Sequence, residues 1–187
     1  MKIAILSAIA AAMLVLTADD GFAQNKCTAK GVMAGQKFEL AECAVAYYAG
    51  SNGVTIWFSS TPITADERST FQLSSTNDTF KRGRTMVTLG FCPGGGSPTP
   101  SPAKAKSVEI AFRHATVTDL GPQDQWVLEP KTDKQIKVER LTGELKKSGK
   151  LAGKITGAIA KSAKPFSWDL QFDLTLPQTA AGAGPGC

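Results

Sequence analysis

Apolar and polar residues alternate along the last part of the chain, and this alternation constrains the fold more than any other feature. Between residues 167 and 176, polar or charged residues alternate with apolar ones at Trp168, Leu170, Phe172, Leu174 and Leu176. A period of two places every apolar side chain on the same side of an extended strand. The segment therefore predicts a β-strand with one buried face and one face in water.

The same alternation occurs just upstream. Its inward positions over residues 151–159 alternate between aliphatic residues and the glycines Gly153 and Gly157. A short polar connection at residues 161–165 joins the two segments, which predicts a β-hairpin. Glycine on an inward face predicts either the close approach of a bulky neighbour or a strongly bent strand.

Weaker alternation predicts further strands elsewhere in the chain. The segments are 43–47, 54–58, 87–91, 108–112, 125–129 and 136–145. The apolar phase of the last one changes near Glu139, which predicts a β-bulge. Thr64 followed by Glu67 fits a capping box and predicts one short helix near residues 64–73. Many short strands with one short helix predict an all-β antiparallel sandwich, and a partly closed barrel is the alternative.

The N-terminal segment has the features of an export signal. Lys2 precedes an apolar run over residues 3–16, and Gly21 and Ala23 supply small residues for cleavage. The run is too short to span a bilayer, which needs roughly 20 apolar residues. We therefore predict a signal peptide at residues 1–23.

The remaining chain has the length of one domain. Removal of 23 of the 187 residues leaves 164, for which we expect a single β domain at 24–179 and a Gly/Ala-rich tail at 180–187. Cys27 does not directly follow the predicted cleavage site, so we expect no lipid anchor. With no transmembrane segment expected, the predicted location is the periplasm or the medium, in soluble form.

The cysteines predict a covalent framework. Four lie beyond the signal, at Cys27, Cys43, Cys92 and Cys187. An even number in an exported chain predicts two disulfides. A tight turn at residues 32–37 brings Cys27 opposite Cys43, so we predict the pairs Cys27–Cys43 and Cys92–Cys187, the second tying the tail to the domain. A C-x-x-C pair is absent and His114 is the only histidine, so no metal site is expected.

Positive charge suggests a partner. Lys2, Asp19 and Asp20 belong to the signal, so 20 basic and 14 acidic residues remain, a net charge of +6. The candidate contacts with an anionic surface surround a predicted hairpin tip, at Lys146, Lys147, Lys150 and Lys154. The alternative is that these lysines only keep strand edges from pairing. Few aromatic residues lie among them, so nucleic acid is not expected as the partner.

The sequence contains no recognisable catalytic motif. Neither G-x-S-x-G nor H-E-x-x-H is present, and we expect no catalytic residue and no cofactor. The predicted function is an exported binding or envelope-associated module, whose partner is an anionic envelope polymer or another exported protein. The alternative is a small periplasmic enzyme with a site assembled from His114 and carboxylates across the sheet.

Overall fold

The computed structural model describes residues 25–51, 53–64, 67, 84–93, 105–113, 124–160 and 164–177. These residues form strands and their connections. The strands are β1 (Lys26–Met33), β2 (Gln36–Leu40), β3 (Glu42–Tyr48), β4 (Gly53–Ser59), β5 (Met86–Pro93), β6 (Ala105–Arg113), β7 (Asp124–Leu128), β8 (Ile136–Gly143), β9 (Lys150–Ile159) and β10 (Phe166–Thr175). Within this part of the chain, no helix is long and apolar enough to cross a membrane.

The strands form two five-stranded antiparallel sheets. Sheet A has the order β2-β1-β10-β9-β8, and sheet B has the order β3-β4-β5-β6-β7. The described residues do not close either sheet into a barrel. The predicted sandwich is therefore confirmed, and the barrel alternative is wrong.

The chain passes from sheet A to sheet B at a short corner. A two-residue turn at Ala34 and Gly35, with φ angles of 51° and 88°, joins β1 to β2; positive φ at both positions suits a tight hairpin. Only Ala41 separates β2 from β3. A disulfide at the corner joins Cys27 of β1 to Cys43 of β3, with the Cα atoms 6.3 Å apart.

The predicted Cys27–Cys43 pair is thus confirmed. The second predicted pair, Cys92–Cys187, is not tested. The side chain of Cys92 and the whole of Cys187 lie outside the described residues.

The hairpin predicted from the alternation is present. β9 and β10 pair along ten residues, from Phe166 opposite Ile159 to Thr175 opposite Lys150. Its inward glycines face aromatic rings as expected, because a Cβ on Gly157 would lie 2.3 Å from Cζ2 of Trp168. The predicted bulge is also confirmed, since the β8–β9 register shifts between Val138 and Arg140.

The inner faces of the two sheets form the main hydrophobic core. Aromatic contacts across the interface centre on Phe112 of sheet B. Its ring centroid lies 5.3 Å from that of Phe166, 5.9 Å from that of Trp168 and 6.1 Å from that of Phe38, all three from sheet A. These contacts hold the two sheets face to face.

Part of sheet B, around β3 and β4, is also buried on its outward side. β4 is buried at all seven of its positions, so its side chains are covered on both faces. A second apolar cluster lies on that outward side: Ala44, Ala46, Tyr48, Trp57, Ile63 and Met86. The alternation of sheet A, with one face in water, therefore does not extend to sheet B.

The predicted capping box is formed. The amide of Thr64 donates to Oε2 of Glu67 at 2.8 Å, and the amide of Glu67 donates to Oγ1 of Thr64 at 3.2 Å. Burial raises the pKa of Glu67, but hydrogen bonds from Thr64 and the ion pair with Arg84 outweigh burial and hold the pKa below its usual value. The other residues of the predicted helix, 65–66 and 68–73, lie outside the described residues.

Candidate binding surface

The connection between β8 and β9, residues 144–149, has an extensively hydrogen-bonded backbone; we call it the β8–β9 loop. The amide of Glu144 donates to the carbonyl of Lys150, and that of Gly149 donates to the carbonyl of Lys146, both at 3.0 Å. The loop is also bound to the end of β10, because the amide of Leu176 donates to the carbonyl of Gly149 at 2.8 Å. The backbone of the loop is therefore held both by its own hydrogen bonds and by a hydrogen bond from the residue that follows β10.

Apolar packing and backbone shape hold the same loop. Leu145 is only 3% exposed and belongs to the main core, so it anchors the loop by its side chain. Gly143, where the loop begins, has a φ of +119°, and a Cβ there would lie 1.9 Å from the carbonyl oxygen of Lys150. Glycine is therefore required at this close approach.

The loop presents positive charge from this fixed backbone. Lys146, Lys147 and Lys150 are all exposed. Lys146 forms an ion pair with Glu144. Among the described residues, Lys147 and Lys150 have no ion-pair partner. Because both side chains are exposed, their charges are accessible from solvent.

Lys154 differs from the other three predicted contact residues. It lies four residues along β9 from Lys150, about 13 Å away, and its side chain is 33% exposed. Its Nζ lies 3.2 Å from Oε2 of Glu139 and 3.9 Å from Oδ2 of Asp169. The hydrogen bond that Lys154 donates is the main reason why the pKa of Glu139 is lowered. The charge of Lys154 is thus partly compensated within sheet A.

The outward face of sheet A carries further exposed lysines that the sequence did not single out, and two of them lie on β1. Lys26 of β1 pairs in register with Asp173 of β10, and Lys30 pairs with Asp169. The alternation of β1 indicates that these lysines face water. However, their position beside β10 results from the pairing of β1 with β10, two strands far apart in the sequence. No local sequence pattern predicts that pairing.

Metal-ligating side chains and the predicted alternative site at His114 were the remaining candidates. No three histidine, cysteine, aspartate or glutamate side chains among them converge to hold a metal ion. His114 lies outside the described residues, so the alternative enzyme site remains a prediction. On the outward side of sheet B, burial raises the pKa of Glu109.

Comparison with protein-family models, curated proteins and solved structures returns no match to this chain. Function therefore has to be argued from the chemistry of the surface, because a sandwich fold hosts many functions.

Proposed function

We propose that this chain is an exported, non-catalytic binding module that contacts an anionic polymer of the cell envelope through the β8–β9 loop. The observation that carries the proposal is the combination of a fixed backbone with exposed lysines. Four features contribute: the loop's internal hydrogen bonds, its bond to Leu176, the buried Leu145, and the exposed side chains of Lys147 and of Lys150, the first residue of β9.

A fixed loop binds at a lower entropic cost than a mobile one. Because the backbone is already held, binding orders only the lysine side chains. Each lysine that contacts a polyanion also releases condensed counterions, which favours binding at low salt. The loop is therefore suited to weak, salt-sensitive contact with a polymer.

Export is supported by the predicted signal peptide and by the Cys27–Cys43 disulfide, which is compatible with an oxidising compartment. Fractionation of cells expressing the full chain should recover it from the periplasm or the medium. N-terminal sequencing of that product should begin at Gln24. Recovery of an uncleaved chain from the cytoplasm would contradict the export part of the proposal.

Binding is tested by titrating the exported chain with dextran sulfate at several salt concentrations. The double variant Lys147→Glu/Lys150→Glu should bind much more weakly and with a shallower dependence on salt. The matched control is Lys131→Glu/Lys134→Glu, which reverses the charge of two exposed side chains between β7 and β8. Equal weakening in both variants would show that only net charge matters and would overturn the role of the loop.

A further inference from the structure

Lysines from two strands alternate along the two sides of β10. β10 lies between β1 and β9 in sheet A. Lys26 pairs with Asp173, which in turn pairs with Ala152, so Lys26 lies level with the midpoint between Lys150 and Lys154. By the same register, Lys30 lies level with Thr156, beyond Lys154.

The four lysines therefore form a staggered line, in the order Lys150, Lys26, Lys154, Lys30, which we call the lysine path. Each step along the path advances by two residues of a strand, about 6.6 Å. Its members come alternately from β9 and β1, and the path covers about 20 Å of sheet. It begins at the β8–β9 loop, where Lys147 and Lys146 continue the positive charge.

We propose that the lysine path binds a linear, base-free phosphodiester polymer lying along β10, with successive phosphates contacting lysines on alternate sides. This inference rests on the proposed function, because it extends the contact from the loop across the outward face of sheet A and names the chemistry of the polymer.

The spacing of the path matches the repeat of such a polymer. An extended chain spans about 3.3–3.6 Å per three backbone bonds, as a peptide does. A glycerol phosphate repeat has six backbone bonds and therefore spans about 7 Å. A polysaccharide with one carboxylate per two sugar rings has a longer charge spacing and fits the path less well.

The surface also favours a polymer without bases. Among the described residues, the outward positions of sheet A carry no aromatic side chain. Recognition of single-stranded nucleic acid relies on aromatic side chains on which the bases stack. Lysine, a compact point charge, suffices for phosphate.

Two aspartates lie within the path and give it a distinctive test. Asp173 and Asp169 are on the outward face of β10, between the two lysine rows. A polyanion lying along β10 is repelled by both carboxylates. Asp173→Asn should therefore strengthen binding, whereas Glu42→Gln on sheet B, which removes the same charge, should leave it nearly unchanged.

The test is a titration of the exported chain with poly(glycerol phosphate) at several salt concentrations. Lys26→Gln/Lys30→Gln should weaken binding about fivefold per lysine and lower the logarithmic salt slope by about 0.7 per lysine. The matched control is Lys137→Gln, an exposed lysine on the same face of sheet A but on the edge strand β8. Circular dichroism checks that each variant is folded.

The outcomes separate this inference from the proposed function. Weakening by Lys146→Gln/Lys147→Gln, with Lys26→Gln/Lys30→Gln and Asp173→Asn no different from their controls, would leave the loop as the site and overturn the path. Equal affinity for hyaluronan of matched charge would overturn the spacing argument. Tighter binding of a single-stranded oligonucleotide would overturn the choice of a base-free polymer. Failure of the unmodified chain to bind any polyanion at low salt would overturn both proposals.

Discussion

The outward faces of the two sheets are built differently, although both sheets have five antiparallel strands. On sheet A, most outward positions of β1, β9 and β10 are charged or polar, and none of them is buried. On sheet B, Trp57, Tyr48 and Met86 occupy outward positions and are 4%, 6% and 2% exposed. Outward positions are therefore open to solvent on the central strands of sheet A, whereas on β3, β4 and the start of β5 they belong to the packed structure; Val127 of β7, also outward, is 63% exposed.

Replacement of a large side chain on each outward face should give the largest contrast. Trp57→Ala removes a buried aromatic side chain from sheet B and should lower the free energy of unfolding by about 3–5 kcal/mol. Gln171→Ala, at an exposed outward position of sheet A, should change it by no more than about 0.5 kcal/mol. Urea denaturation measures both. Similar losses in the two variants would contradict the difference between the faces.

Removal of the bond between the sheets should have the next largest effect. Cys27 and Cys43 enclose a loop with a sequence separation of 16, for which a disulfide contributes about 3 kcal/mol. Cys27→Ala/Cys43→Ala should lose roughly that amount in chemical denaturation. A single transition is expected in the variant, because Phe112 still packs against sheet A. Two separate transitions would show that the sheets unfold independently without the bond.

Glycine positions provide a smaller contrast between the sheets. A Cβ on Gly157 of sheet A would lie 2.4 Å from the carbonyl oxygen of Gln135, whereas the nearest atom to a Cβ on Gly90 of sheet B, the Cβ of Glu109, is 3.4 Å away. Gly157→Ala should therefore cost about 1–3 kcal/mol, and Gly90→Ala should be nearly neutral. Thermal unfolding of both variants checks the order, and a greater loss for Gly90→Ala would reverse it.

Two carboxyls should give the smallest effects, with opposite dependence on pH. The pKa of Glu139 is lowered by Lys154 in sheet A, so its contribution is present above the unfolded pKa and is lost as pH falls through the folded pKa. Burial raises the pKa of Glu109 in sheet B, so its contribution is present below the unfolded pKa and is lost as pH rises through the folded value.

The direction of each pH dependence can be tested by measuring the free energy of unfolding of Gln variants between pH 3 and pH 7. Relative to the unmodified chain, Glu139→Gln should be less stable at neutral pH, and the difference should shrink as pH falls. Glu109→Gln should gain stability relative to the unmodified chain as pH rises. The same sign of pH dependence in both differences would contradict the assignment.

The sequence predicts the features that depend on local pattern. Three such predictions are confirmed: the strand predicted from the alternation of residues 167–176, the bulge predicted near Glu139, and the close approach predicted at Gly157. Each depends on the residues in the immediate neighbourhood. The Cys27–Cys43 pair was also predictable, because the tight turn after β1 returns the chain along β2 towards Cys27 shortly before Cys43.

Other features depend on contacts between distant segments and leave no local signal. The outward side of β4 mixes Thr55, Trp57 and Ser59, and its burial depends on tertiary packing and not on periodicity. The pairing of β1 with β10 places Lys26 and Lys30 in the lysine path. No turn or sequence motif predicts this pairing. Only part of the candidate surface was therefore predictable. The lysines of the loop were identified from the sequence, whereas the lysine path depends on the register between β1 and β10, which the sequence does not indicate.

The position of β10 has a consequence for the order in which the sheets can be completed during synthesis. Sheet B uses five consecutive strands, each of which can pair with the one made just before it. Among the described strands, β10 is the last to be made, and it is the central strand of sheet A. Until it emerges, β1 keeps one edge open to wrong partners. A nascent or truncated chain that ends between residues 129 and 165 therefore has all five strands of sheet B but lacks the central strand of sheet A.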